Sequence, residues 1–446
     1  MIGRFKGKGI IWTVGYFIVK TGFNTFYKKH QTVGSENVPY GKKPIIFAAN
    51  HQNAFLDPIL ITVVGPIETY YLTRADIFEK PFLNKLFRSV FMLPIYRQRD
   101  GGNTIERNQV TFNECYDLLN ENKAIIIFPE GNHTGKKNLR AIKKGLVRIG
   151  YGADDKYNGD LDVQIIPVGL NYSNYSGFQS EFLINFGEPI SLNDYQKQRE
   201  EHENRTITNI SSEINEGMKK VMIDIKLDHY EAINEMLYIF PKEIDKLSNQ
   251  KSETLSDKFK AQKTFIDKIE KAIDSDPMLG ETIDKKVKNI IDFTRENNLK
   301  YWLFNNDKYS FGTILLTILG LLIGLPIHIY GMINSYIPYK MPVWFVDSKI
   351  KDVTFHGSFK MALGVVFFGL FWSIQVLMVT LLTDHYIWIL YALSLPLSAL
   401  FSWNYWKTLL KTKGKLAYNK LNGSSKMENL KVDILELKTI IKSLTD

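Results

Sequence analysis

Three long apolar runs follow one another in the last third of the chain: "FGTILLTILGLLIGLPIHIYGMI", "MALGVVFFGLFWSIQVLMVTLL" and "YIWILYALSLPLSALFSWNYW". An α-helix needs about 20 apolar residues to cross a bilayer, and each run approaches or exceeds that with almost no charge. A water-soluble fold can hide one such segment in its core, but three in series point to membrane insertion. Lys349, Lys351 and Lys360 precede the second run, and Lys407, Lys411, Lys413 and Lys415 follow the third. Only Thr383, Asp384 and His385 separate those two runs. The positive-inside rule then predicts a transmembrane hairpin over 361–406 and a cytoplasmic tail over 407–446, with one amphipathic helix in "MENLKVDILELKTIIKSL". The first run differs, because Gly324 and Pro326 lie in its middle and Lys308 and Lys340 flank it. Residues 306–340 therefore read as a re-entrant or interfacial helix pair rather than a single pass.

The N-terminus "MIGRFKGKGIIWTVGYFIVKTGFNTFYKKH" has basic flanks around an apolar run too short to span comfortably. With Trp12, Tyr16 and Phe17 between lysines, residues 1–35 read as a helix lying in the membrane interface, a signal anchor being the alternative. The net charge of +9, from 56 Lys+Arg against 47 Asp+Glu, is spread along the chain. It forms no tract of the nucleic-acid-binding kind and suits anionic lipid headgroups better. Cys115 is the sole cysteine, which excludes an internal disulfide and points to an intracellular working face. In "TFNECYDLL" it reads as core filling rather than a nucleophile.

Between these membrane-directed ends, short runs rich in Ile, Val and aromatics alternate with amphipathic helical patterns. "PIIFAA", "TYYLT", "VFMLPIY", "AIIIFP", "VQIIPVGL" and "FLINFG" have the look of buried strands, and "IERNQVTFNECYDLLNEN" and "LRAIKKGLVRIGYGA" of helices. Residues 36–203 are thus expected to form an α/β domain, a mixed sheet flanked by helices, and 204–305 a charged helical extension. Four blocks sit at strand ends: "NHQNAFLD", "MLPIYRQR", "FPEGNHTG" and "IIPVGLNY". In open α/β sheets ligands bind beyond the carboxyl ends of the strands, so these exits can line one crevice.

The first block holds His51 and Asp57. A neutral imidazole suits the removal of a hydroxyl proton near neutral pH, and a carboxylate on its other nitrogen fixes the tautomer and stabilises the imidazolium. The competing reading is an ordinary polar turn whose carboxylate caps a helix. Arg97 offers a planar fork for a phosphate, and Arg99 is either a second contact or half of a surface ion pair. Arg74 is a weaker phosphate candidate.

Taken together, the four blocks over roughly 43–190 resemble the glycerolipid acyltransferases, which include the lysophosphatidate and glycerol-3-phosphate acyltransferases. The resemblance implies transfer of a fatty acyl group from acyl-CoA or acyl carrier protein to the hydroxyl of a glycerol phosphate, in phospholipid biosynthesis. It implies no cofactor or metal, with membrane lipids, the thioester donor and the acceptor as partners. The protein would be integral to the membrane, with its catalytic domain facing the cytoplasm. It makes His51 the base, Asp57 its orienter, and Glu130 with Gly131 the acceptor-binding block. Two departures stand out. Five residues separate His51 from Asp57 where the commonest family pattern has four, a spacing that resembles a fungal branch using glycerol 3-phosphate. His133 and Thr134 also replace the usual Thr-Arg pair, removing a cation that Lys143 and Lys144 would supply unless they form a solvated helix face. Pro167 would shape a strand exit. The other readings are a catalytically silent membrane scaffold that keeps the fold, and a small transporter, against which only His328 stands as an ionisable group within the apolar runs.

Overall fold

The computed structural model describes residues 10–64, 69–97, 101, 103–247, 253–383 and 386–444. The chain divides into two compact units: Met1–Asp224 with Asp352–Ser358, and Ile225–Lys351 with Phe359–Asp446.

The first unit runs α1 (Ile10–Phe26), β1 (Tyr27–Val33), β2 (Ile45–Ala49), α2 (Leu56–Val64), β3 (Thr69–Arg74), α3 (Pro81–Ser89) and β4 (Met92–Ile95). It continues with α4 (Thr104–Asn120), β5 (Ala124–Ile127), α5 (Gly145–Lys156), β6 (Gln164–Tyr172), β7 (Ser180–Phe186), β8 (Ile190–Ser191) and α6 (Gln196–Val221). The strands form one mixed sheet in the order β1-β7-β6-β2-β5-β3-β4, with β8 on β6. β2 lies between β5 and β6, parallel to both, and all five of its residues are buried. That double burial is why "IIFAA" has no polar alternation.

All six expected strands are present; β1 and the two-residue β8 are additions. The β1 sequence "YKKHQTV" exposes three residues in a row and pairs only with β7 at the sheet edge, so an apolar signal is absent. The residues from Tyr27 onward, read with the N-terminal helix in the sequence, thus belong to the sheet. The unit also runs past residue 203. Ile207, Ile210, Ile214 and Met218 on α6 recur at helical spacing and join the core of Ile46, Cys115, Ile125 and Ile165. The helical path breaks instead at His202, with φ −150° and ψ 73°.

Pro167 does not end a strand, as its sequence position suggested; it is inside β6. Its missing N–H faces the side where β6 changes partner, from β8 at Ile165 to β7 at Val168. Its carbonyl accepts from Gly187 N at 2.8 Å, so no ladder donor is lost there.

In the second unit, α7 (Tyr230–Ile239), α8 (Pro241–Lys246), α9 (Leu255–Ser275) and α10 (Pro277–Glu296) precede three long helices. These are α11 (Phe311–Lys349), α12 (His356–Leu382, begun in the first unit) and α13 (Ile387–Leu421), followed by α14 (Ser425–Ser443). The amphipathic tail helix is not free. Met427, Leu430, Ile434, Leu437 and Ile441 bury one face of α14, and Lys286 of α10 pairs with Asp433 and Glu436 at 3.0 and 2.6 Å.

Three helices are long and apolar enough to cross a membrane, Phe311–Lys349, Val353–Leu382 and Ile387–Leu421. Their apolar side chains are left uncovered, Ile323 at 82% and Leu382 at 80% exposure, a surface suited to lipid rather than water. Asp384 and His385, between the second and third, lie outside the described residues. The expected helix pair at 306–340 is instead one continuous helix, with Pro326, Pro338 and Pro342 inside it. Gly331 of that run serves close packing against α13, whereas Gly320 meets nothing within 4 Å. A Cβ on Gly331 would come within 2.4 Å of the Ser398 carbonyl oxygen on α13. Polar contacts join the same helices: His328 Nδ1 with Ser402 Oγ at 2.7 Å, and Tyr391 Oη donating to Asn334 at 2.5 Å. His328 is thereby engaged in helix packing.

Candidate active site

The central strands β6, β2 and β5 run parallel, so their carboxyl ends emerge together. From these ends come Tyr172, the loop starting at Asn50, and the turn holding Glu130. Asn50 anchors that loop. Its side chain donates to the Leu170 carbonyl at 3.1 Å and accepts from Leu170 N at 2.7 Å, extending the β2–β6 ladder by a side chain.

His51 and Asp57 meet. Nδ1 of His51 is 2.8 Å from Oδ2 of Asp57, and the turn between them takes up the longer spacing at Ala54, whose φ is +32°. Asp57 is fully buried, where an unpaired carboxylate would be very costly. Four donors meet that cost: the imidazole, the backbone N–H groups of Gln52 and Asn53 at 2.8 Å each, and Tyr172 Oη at 2.5 Å. Burial first, and then the charge of Asp57, push the Tyr172 phenol far above its ordinary value, so it stays protonated and donates. With Nδ1–H turned to the carboxylate, the lone pair of His51 is on Nε2. Among the described residues Nε2 has no hydrogen-bond partner. The ring itself stacks on Phe128, with centroids 4.1 Å apart and planes 17° from parallel.

Glu130 turns inward rather than toward a ligand. One oxygen accepts from His51 N–H at 3.1 Å, the other from Arg140 Nε at 3.1 Å, and its side chain is only 2% exposed. It therefore fixes the backbone of the candidate base. Gly131 has φ +74°, a left-handed conformation that calls for glycine, and the Lys143 side chain lies over it, with Nζ 2.6 Å from where a Cβ would be. Arg140, which also donates to the Asn132 carbonyl, is the cation that pairs with Glu130; sequence spacing gave no reason to choose it over Lys143 and Lys144. Lys144 is engaged elsewhere, its Nζ donating to Thr208 of α6 at 2.7 Å.

Arg97 is half-buried and follows β4 on the same carboxyl edge of the sheet, two strands from β5. Arg99 lies outside the described residues. Arg74 is taken by Asp76, a local surface pair. The Cys115 thiol, pushed up to about 12 chiefly by burial, is core filling.

One contributor has no sequence signal at all. Asp352–Ser358 belongs to the first unit although it follows α11 in the chain. Asp352 Oδ2 is 3.0 Å from His133 Nε2, and the His133 ring stands edge-on to His51 with centroids 5.3 Å apart. Ser358 Oγ accepts from Leu56 N at 3.2 Å and donates to the Asn53 carbonyl at 3.3 Å.

Residues 29–171 match the model of the acyltransferase family. Glycerol-3-phosphate O-acyltransferase 1 of Saccharomyces cerevisiae is 35% identical over 81 residues, 18% of this chain and 10% of that protein. A 1-acyl-sn-glycerol-3-phosphate acyltransferase of Borreliella burgdorferi is 23% identical over 228 residues, 49% of this chain and 76% of that one. The crystal structure of the 1-acyl-sn-glycerophosphate acyltransferase of Thermotoga maritima overlays with a TM-score of 0.31 at 19% identity, covering 45% of this chain and 77% of that one. The chain thus spans a small part of the yeast relative and about three quarters of the bacterial one. The segment from 29 to 171, in which His51, Asp57, Arg97 and Glu130 all lie, belongs to the acyltransferase family.

Proposed function

We propose that this protein is a membrane-bound O-acyltransferase that moves a fatty acyl group from acyl-CoA or acyl carrier protein to the hydroxyl of a glycerol phosphate. The observation that carries this reading is the 2.8 Å His51–Asp57 contact with Nε2 left open at the carboxyl edge of the sheet. The acceptor hydroxyl gives its proton to Nε2 as its oxygen attacks the thioester carbonyl. The tetrahedral intermediate collapses, the C–S bond breaks, and the imidazolium returns the proton to the departing thiolate. Asp57 holds the ring and balances the imidazolium charge throughout. The substrates in the relatives' names, glycerol 3-phosphate and 1-acyl-sn-glycerol 3-phosphate, support the acceptor class. A silent scaffold gives no account of a buried carboxylate with four donors aimed at an open imidazole.

The test is direct. Purified full-length protein in detergent is given acyl-CoA or acyl carrier protein thioester, each crossed with glycerol 3-phosphate and lysophosphatidate. At least one pair should yield acylated product; no turnover with any pair would end the proposal.

Arg97 is assigned to the acceptor phosphate. Arg97→Ala should raise the acceptor KM about tenfold to a hundredfold, the loss of about 1.5–3 kcal/mol expected for a charge-assisted contact, while the donor KM barely moves. A shift confined to the donor KM would reverse the orientation of the substrates in the crevice.

Thioester donors are cytoplasmic, so the domain is expected to face the cytoplasm. Among the described residues before α11 no helix is long and apolar enough to cross a membrane, and Asp352–Ser358 after it belongs to the unit that holds the site. Both ends of α11 then lie on the domain's side of the membrane. A 39-residue helix is about 58 Å long, against a hydrocarbon core of about 30 Å, and we infer that it enters the bilayer beside α13 and turns back to the same face at Pro338 and Pro342. Cysteines placed singly at Lys300, Lys349 and Lys413 should all react with an impermeant maleimide from the cytoplasmic side, over a low background from buried Cys115. Labelling of the Lys300 site from the opposite face alone would refute this topology.

A further inference from the structure

The contact between His133 and Asp352 is built with some care. Oδ1 of Asp352 is held by the backbone N–H and hydroxyl of Thr354, at 3.0 and 2.5 Å, which leaves Oδ2 facing His133 Nε2 at 3.0 Å. Phe355 packs edge-on against the His133 ring and against Phe55, with centroids 5.0 and 5.3 Å away. At Gly357 a Cβ would lie 2.3 Å from the Tyr175 carbonyl oxygen and 2.9 Å from the Asn53 amide, so the segment approaches as closely as backbone can. Burial opposes ionisation of Asp352, but the hydrogen bonds from Thr354 and His133 outweigh it and hold the carboxyl below its usual range. A charged carboxylate thus faces an imidazole that itself stands edge-on to His51, 5.3 Å away.

We propose that His133 and Asp352 form a second imidazole–carboxylate pair of the site, in which His133 donates from Nδ1 to the acceptor phosphate and Asp352 is the positioning residue that holds it. The inference rests on the acyltransferase reading above. Its chemistry is that of the first pair turned to another use. A carboxylate on Nε2 fixes the ring's rotation, and with a proton on each ring nitrogen Nδ1 presents an N–H to a phosphate oxygen. His133 follows Gly131 and Asn132 in the turn that also holds Glu130, so a donor is in place there beside His51. The carboxylate that orients it comes from 219 residues further along the chain, outside the family-matched segment. Acceptor recognition would therefore depend on Asp352–Ser358 as well as on residues 29–171.

The experiment measures kcat and both KM values for the wild type, His51→Ala, His133→Ala, Asp352→Ala and the His133→Ala/Asp352→Ala double variant, with thermal melting as a check on folding. Acceptor KM should rise about tenfold in each single variant at position 133 or 352, with kcat and donor KM within about twofold of wild type. The double variant should be no worse than His133→Ala, because Asp352 acts through that ring. An unchanged acceptor KM in Asp352→Ala would overturn the inference, as would additive losses in the double variant. A fall in kcat at constant KM would also overturn it, since it would mean that the segment only clamps the Asn53–Leu56 turn. If the wild type turns over and depends on His51 while Asp352→Ala is silent, only this inference falls. No turnover by the wild type with any glycerol phosphate removes the function proposed above and this inference with it.

Discussion

His51→Ala should abolish acyl transfer, by at least about 10³-fold, while the protein remains folded and membrane-bound. The size of the effect follows from Nε2 being the lone pair presented at the convergence of β6, β2 and β5. The harmlessness to folding follows from what remains. Without the imidazole, Asp57 still accepts from Gln52 N, Asn53 N and Tyr172 Oη, so the buried carboxylate is not orphaned. Glu130 likewise keeps its bond to the backbone N–H of residue 51, which no side-chain change removes. The cost in packing is the lost stack on Phe128 at the partly open mouth of the site. The check is product formation by purified variant and wild type at saturating substrates, with melting curves alongside. Near-normal turnover in folded His51→Ala would rule out the base assignment.

Much of the site was legible before the structure because it lies where sequence signals are strongest. Buried parallel strands are continuous apolar runs, and the residues just past them are polar by contrast, so His51, Glu130 and Arg97 stood out at strand exits. What sequence could not supply was direction. Glu130 is a polar residue at the right place, but its carboxylate turns toward the His51 backbone and Arg140, which only the packing of two loops decides. Lys144 and Arg140 are cations four residues apart in one segment, and spacing alone does not say which of them turns toward Glu130. The edge strand β1 escaped because an edge has no apolar face to advertise. Gly324 and Pro326 suggested a break between two helices, since sequence gives no sight of α13, whose Phe401 ring would lie 3.0 Å from a Cβ at Gly324. Asp352 was beyond reach altogether: no local pattern ties a residue between two apolar helices to a histidine in the α/β domain.

Asp57 offers the sharpest separation of chemistry from stability, because asparagine and alanine should fail differently there. In Asp57→Asn the amide oxygen can occupy the place of Oδ2 and accept from Gln52 N, Asn53 N and His51 Nδ1, while the NH₂ group faces Tyr172. Tyr172 then reverses its hydroxyl from donor to acceptor, which a phenol can do without moving. The fold and the tautomer survive, and what vanishes is the negative charge that stabilises the imidazolium. Turnover should drop about 10³–10⁴-fold with little change in melting temperature. Asp57→Ala removes the acceptor itself. Two backbone N–H groups and a phenol held far above its ordinary range would then be buried with no partner, each at a cost of about 1–3 kcal/mol. That variant should lose activity and several kcal/mol of stability together, read as a lowered melting temperature or as failure to accumulate in the membrane. If the asparagine variant melts like wild type yet keeps more than about a tenth of its activity, the charge of Asp57 has no catalytic role, and the pair is a helix-capping turn after all.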